Sequence, residues 1–219
     1  MGTLSDALKQ AGQPMLDELE SIYTDVHRHP ELSMQEVRTA EIAADYVRRL
    51  GCEVTREVGV TGVVAVLRNG SGPTVMLRAD MDALPMQEKT GLPYASTVTT
   101  KDEDGAVVGV AHSCGHDMHV AWLLGAARVL AENRAVWAGT AMLVFQPGEE
   151  TAQGAAAMVS DWGEGRFPRP DVILGQHVMV GAAGTVNFRP GVALSAGDSL
   201  KPPRSLPLRR SRRQTPGGA

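Results

Sequence analysis

The chain has 219 residues, 43% hydrophobic and 21% charged, enough to bury a substantial core as one large domain or two small ones. Aromatics make up only 4%, and the net charge of −4 is uneven: the six charges beyond position 200 are all basic, so residues 1–200 carry −10 by themselves. An acidic body poor in stacking side chains repels phosphate backbones, which argues against a nucleic-acid partner. Cys52 and Cys114 are too few for a disulfide framework and fit a reducing cytoplasm. The N-terminus lacks a basic segment followed by an apolar one, so no signal peptide is expected. The most apolar stretch, Val120 to Ala127, is too short for a bilayer and runs into Arg128, so no membrane role is expected either.

In chain order, residues 3–26 read as an amphipathic helix interrupted or restarted near Pro14, with Leu16, Leu19, Ile22 and Tyr23 on one face. His29-Pro30 ends it. Ser33 with Glu36 three residues on reads as a capping box opening a helix over Met34–Leu50, which Gly51 stops. Strand-type runs follow at Glu53–Val58, Gly62–Leu67 and Thr74–Arg78, the last two joined by a turn cluster over 68–73. A polar loop over 86–113 leads into an apolar helix from Met118 to Asn133. Then come a strand over Thr140–Phe145, a helix over Gly154–Trp162 and a short strand over Val172–Leu174. Strands apolar along their length and alternating with helices predict an α/β fold, a sheet covered by helices on both faces. From Pro202 to Ala219 the period is lost and Pro, Arg, Ser and Gly dominate, the composition of a disordered tail.

Three polar clusters each follow an apolar strand: Asp80/Asp82, Glu149/Glu150 and His177. Ligands in open α/β sheets bind outside the carboxyl ends of strands, so these clusters are expected at one edge. A fourth, His112-Ser-Cys114-Gly-His116-Asp117-Met-His119, puts a thiol and imidazoles where they suit a transition metal of zinc or manganese type. Gly115 lets the backbone turn so that Cys114 and His116 face one centre. Read alone, the segment is a loop entering a helix with Asp117 as its cap, and that bland reading is the one favoured for His119. Of two adjacent glutamates, one can bind metal while the other accepts a proton from water. Taken singly, the pair reads more readily as a helix start and His177 as a structural histidine. Their joint occurrence points to a dinuclear metal site. A thiol nucleophile at Cys114 is the competing scheme, but it leaves the glutamate pair without a task.

The segments HRHPELSMQE (27–36), TGVVAVL, LRADMDALPMQE, AHSCGHDMHVAWLLGAA, FQPGEE and GQHV occur in an order that resembles the M20 metallopeptidase family, in its amidohydrolase branch of hippurate hydrolases, N-acyl-amino-acid deacylases and auxin-conjugate hydrolases. The resemblance spans roughly residues 15–200. It implies a three-layer sandwich with a mixed sheet. It also implies Cys114, His116, Glu150 and His177 as ligands of two divalent ions, manganese or zinc with cobalt or nickel as alternatives. Glu149 is then the general base that takes a proton from the attacking water and returns it to the leaving nitrogen. One of Asp80 and Asp82 supports the metal site; aligning on Leu84-Pro85 favours Asp82, the longer motif Asp80. The implied substrate is a small N-acyl amino acid.

The family pattern stops after Ala196-Gly-Asp198-Ser-Leu200, where the family continues into an inserted dimerisation domain and a last histidine ligand. The expectation is a partial catalytic domain over 1–200 and a tail over 201–219 from a frameshift or truncated gene. The family's homodimer is then not expected, and an inactive remnant that binds metal weakly is the alternative function.

Overall fold

The computed structural model describes residues 3, 5–6, 12–101, 105–163, 165–188 and 190–191. The expected tail lies outside them. The chain divides into two compact units, residues 1–179 and 180–219, and every element named below belongs to the first.

Helix α1 runs Gln13–Arg28. Pro14 stands in its first turn, where a missing N–H removes no helical bond, so the proline starts this helix, in keeping with the expected restart near Pro14. Helix α2 runs Val37–Arg49, three residues shorter at its start than the capping box predicts. The correction has a clear cause. Ser33 Oγ donates to Asp82 Oδ2 (2.6 Å), far along the chain, while the helix amides of Arg38 and Thr39 are taken by the Glu31 carboxylate at 2.9 and 2.8 Å. Glu31 caps α2; Ser33 does not.

The five main strands are β1 (Glu53–Val58), β2 (Gly62–Asn69), β3 (Thr74–Asp80), β6 (Gly139–Gln146) and β7 (Val172–Gly175). They form one mixed sheet in the order β1-β2-β6-β3-β7, with β1, β2 and β6 antiparallel in turn and β6, β3 and β7 parallel. Helix α3 (His116–Glu132) follows the 86–113 segment, and α4 (Gly154–Trp162) connects β6 to β7. That segment is not all loop: β4 (Thr99–Lys101) and β5 (Val107–Gly109) pair antiparallel as a separate ribbon. Three-residue strands are too short to show a period.

Alternate residues of the central strands enter two cores. Val63, Ala65 and Leu67 of β2 and Ala141, Leu143 and Phe145 of β6 pack with Ala43, Val47, Leu123 and Leu124 of α2 and α3. Their neighbours Val64, Val66, Met142 and Val144 pack with Met158 and Phe167 on the other face. Burial on both faces explains the unbroken apolar runs, and the three-layer α/β sandwich is the fold. Strand β7 departs from the pattern: it lies at the sheet edge with Val172, Ile173 and Leu174 about half exposed. Among the described residues, no helix is long and apolar enough to cross a membrane.

Candidate metal centre

The carboxyl ends of β3, β6 and β7 lie side by side, with Asp80 level with Gln146 and Arg78 level with Gly175. The loops leaving these strands carry Asp82, Glu149/Glu150 and His177. The start of α3 delivers Cys114 and His116 to the same edge, because the segment before it is tied to the loop after β3 by the Leu84–Ala111 bridge. Gly115, not Asp117, is the N-cap of α3, with φ +83°, and a Cβ there would stand 2.3 Å from Val178 Cγ2. The turn that orients Cys114 and His116 therefore requires glycine.

His116 is fully buried and sits at the middle. Its Nδ1 lies 2.9 Å from the Asp82 carbonyl oxygen and 3.2 Å from Asp82 Oδ1. Oxygens of that kind only accept, so Nδ1 carries the hydrogen and Nε2 presents a lone pair. Among the described residues, that Nε2 has no hydrogen-bond partner; it lies 3.8 Å from Glu149 Oε2 and 3.9 Å from Glu150 Oε1. Burial pulls the His116 pKa down, but Asp82, Asp80 and Glu150 outweigh it and hold it above the ordinary value. The same negative field attracts a cation.

Two donor sets share His116. Ligand atoms of Cys114, His116 and His177 lie within 4.8 Å of one another, and so do those of His116, Glu149 and Glu150. Cys114 Sγ is 3.4 Å from His177 Nε2, whose ring is turned by an Nδ1–H bond to the Val178 carbonyl (2.7 Å). Glu150 Oε1 is likewise buried with no hydrogen-bond partner among the described residues. Buried acceptors converging without a donor are costly in a folded protein unless a cation or its equivalent satisfies them. Thiolate, imidazole and carboxylate together fit a zinc- or manganese-type ion. All four sequence-predicted ligands, with Glu149, are brought together.

Asp80 and Asp82 do not share a face, since β3 ends at Asp80. They approach the His116 ring from its two nitrogens: Asp82 at Nδ1, Asp80 Oδ2 at 3.7 Å from Nε2. Asp80 Oδ1 accepts from His119 Nδ1 (2.6 Å), and Oδ2 lies 2.7 Å from Arg78 Nη1 as an ion pair without hydrogen-bond alignment. Burial raises the Asp80 pKa, but His119, His116 and Arg78 bring it below the ordinary value. Asp82 Oδ2 accepts from Ser33 Oγ (2.6 Å) and the Glu150 amide (2.9 Å). Burial again raises, and the bonds from His116 first, then Ser33 and the glutamate-loop amides, outweigh it, leaving Asp82 at about 2. His119 also stands near Asp80 and His116, but both its nitrogens are engaged, Nδ1 by Asp80 and Nε2 by the Val178 amide (2.9 Å). It is a buried structural histidine rather than the solvated one expected.

A second buried polar group was not visible in the sequence. His27 lies between Asp117 Oδ2 (2.6 Å from Nδ1) and Glu88 Oε1 (3.1 Å from Nε2), pinning the polar segment and the first turn of α3 to α1. Asp117 is thus a partner of His27, not a helix cap. The three residues are separated by 61 and 90 positions, and no local signal joins them.

A family model for peptidase family M20/M25/M40 matches residues 76–206, more than half of the chain. The chain belongs to this family. Among its M20 relatives, the hippurate hydrolase of Campylobacter jejuni is 41% identical over 186 residues, covering 83% of this chain and 45% of that protein. The N-acetyl-L-cysteine deacetylase of Bacillus subtilis is 38% identical over 201 residues, covering 89% of this chain and 45% of that protein. A Bacillus subtilis crystal structure described as a dinuclear metal binding peptidase from the M20 family superposes with TM-score 0.66 at 36% identity. It covers 76% of this chain and 44% of that one. The chain spans about half the length of the M20 relatives it matches.

Proposed function

We propose that this chain is the metal-binding part of an M20 amidohydrolase that cleaves the amide bond of N-acyl amino acids or similar small amides. The observation that carries the reading is the pair of donor sets that share His116, whose Nε2, like Glu150 Oε1, is buried and without a hydrogen-bond partner among the described residues. Cys114, His116, Glu150 and His177 hold two divalent ions of manganese or zinc type, which when bound supply positive charge that polarises an amide carbonyl and acidifies water.

The protein's own groups do the rest. Glu149, more exposed than Glu150 at 40% against 20%, accepts a proton from the attacking water on a carboxylate oxygen and passes it to the leaving nitrogen. Asp82 fixes the His116 tautomer and, through its bond to the Glu150 amide, the glutamate loop. We therefore give Asp82 the supporting role, and Asp80 the task of holding His119 and balancing Arg78. Both cysteines are free, in keeping with a cytoplasmic setting. Residues 1–200 are taken as a partial catalytic domain that works on a small-molecule substrate.

The test is release of benzoate from hippurate, or acetate from N-acetyl amino acids, by the purified chain with manganese and with a chelator. Metal-dependent turnover supports the reading. Metal binding without turnover makes the chain the inactive remnant. Turnover that survives chelation would replace the metal scheme by a thiol one at Cys114.

A further inference from the structure

The segment before α2 lies against both loops that carry the metal centre. The Glu31 carbonyl accepts from the Ala83 amide (2.8 Å), and Leu32 bridges to Ala83 in parallel. Ser33 holds Asp82. Glu36 is fully buried and reaches the other loop. Its Oε1 accepts from the amides of Met34 and Gly148, each at 2.8 Å, and its Oε2 accepts from Thr61 Oγ1 at 2.5 Å. Gly148 is the residue before Glu149, and it turns with φ +53° against Met34, whose Sδ would stand 2.6 Å from a Cβ at that position. From Gly148 the loop proceeds to the Glu150 amide on Asp82 Oδ2.

We infer that Glu36 is a positioning residue: its carboxylate clamps the Gly148 turn to the β1–β2 turn at Thr61 and so sets where Glu149 and Glu150 stand. A buried carboxylate accepting from three donors is a rigid anchor, because releasing any one donor leaves it unpaired in the core. After the pair, the Ala152 amide on the Glu149 carbonyl and the Gln153 and Gly154 amides on the Gly148 carbonyl shape the turn locally, whereas the Glu36 bond ties it to the entry of α2 and to Thr61. The clamp works by reach and acceptor geometry, not by charge. Glutamine in place of Glu36 keeps an acceptor for the two amides and offers its NH2 to the Thr61 hydroxyl. Aspartate keeps the charge but is one methylene too short to hold all three.

The inference rests on the proposed metal reading, and its test separates the two. Glu36→Gln and Glu36→Asp are compared with wild type by amide hydrogen exchange at Gly148 and Glu150 in the full chain, and by Mn2+ titration. Glu36→Asp should exchange about tenfold faster at both amides and bind Mn2+ about tenfold more weakly; Glu36→Gln should stay within about threefold on both. Wild-type exchange at Glu150 in a folded Glu36→Asp chain would overturn the inference, as would Glu36→Gln behaving like Glu36→Asp. If the wild-type chain binds no Mn2+, the metal reading fails while the exchange result still decides the clamp. Should Glu36→Asp not fold, Thr61→Val removes only the donor to Oε2 and must speed exchange at Gly148 and Glu150; no change there overturns the clamp.

Discussion

Asp82 grips one nitrogen of His116 with both its carbonyl and its carboxylate, 2.9 and 3.2 Å away, and thereby bares the other nitrogen toward Glu149 and Glu150. A ligating histidine held in this way loses affinity when the holder is removed, typically ten- to a hundredfold. Asp82→Ala keeps the backbone carbonyl on Nδ1 and removes the carboxylate, so Mn2+ or Co2+ binding should weaken by about tenfold, the lower end of that range, measured by calorimetry or by the Co2+ absorption spectrum. It also frees Ser33 and the Glu150 amide, so the loss should be larger than for Ser33→Ala. Equal losses in the two variants would mean that Asp82 acts on the loop alone and not on the imidazole.

The thiol gives a second check. Cys114 is pushed up to about 12, first by burial and then by Glu150, Glu149 and Asp80, so in the metal-free chain at pH 7 it is a thiol and a poor nucleophile. Cys52 is likewise raised, to about 11, by burial. Alkylation by iodoacetamide at pH 7 should be slow at both. Glu150→Gln removes the largest of the carboxylate contributions and should speed alkylation at Cys114 while leaving Cys52 unchanged. Rapid wild-type alkylation at Cys114 would revive the thiol-hydrolase scheme, with His177, 3.4 Å away, as the base.

What could be read from the sequence follows a physical line. The strands apolar on both faces end where polar clusters begin, and the sheet places those ends together, so that edge and the five side chains the fold gathers there are legible in the sequence. What holds those residues was not. Ser33 and Glu36 have the spacing of a local capping box, yet both bond to residues 49 and 112 positions away. His119 was read as a bystander on the first turn of α3; it is no free ligand, but its burial and its bond to Asp80 depend on β3, 39 residues earlier. A motif shows which side chains are offered to a centre; only the fold shows which neighbours fix their tautomer and reach.

His27 is the natural pH probe outside that centre. It faces Asp117 and Glu88 directly, the rings of Tyr23 and Tyr94 stand 5.8 and 5.2 Å away, and His112 adds a like charge if protonated. Burial lowers its pKa, but the two carboxylates outweigh that and leave it above 6.5. A raised folded-state value means that the stabilisation is complete below the unfolded value near 6.5 and is lost as the pH rises through the folded one. His27→Gln leaves two buried carboxylates without a cation and should cost about 3 kcal/mol at pH 6. In urea unfolding, its deficit relative to wild type should shrink between pH 6 and pH 9. A deficit that grows with pH would show that His27 is neutral in the folded chain.

Gly154, the first residue of α4, offers a substitution whose sign is opposite to the helix rule. Replacing a helical glycine with alanine ordinarily gains about 1 kcal/mol. Here a Cβ would stand 1.5 Å from the Pro147 carbonyl oxygen and 2.4 Å from its carbon, both backbone atoms of the turn that carries Glu149 and Glu150. No rotamer relieves such a contact, so either α4 or the turn must move. The turn is held on one side by the Gly148 amide on Glu36 and on the other by the Glu150 amide on Asp82. Moving it breaks one of these bonds; moving α4 instead withdraws Met158 from the core on that face of the sheet. Gly154→Ala should therefore lower stability by about 1–3 kcal/mol, in the range for overpacking, instead of raising it. Mn2+ titration of the folded variant distinguishes the two adjustments. Weaker binding means that the turn yielded, whereas unchanged binding with the same loss of stability means that the helix did.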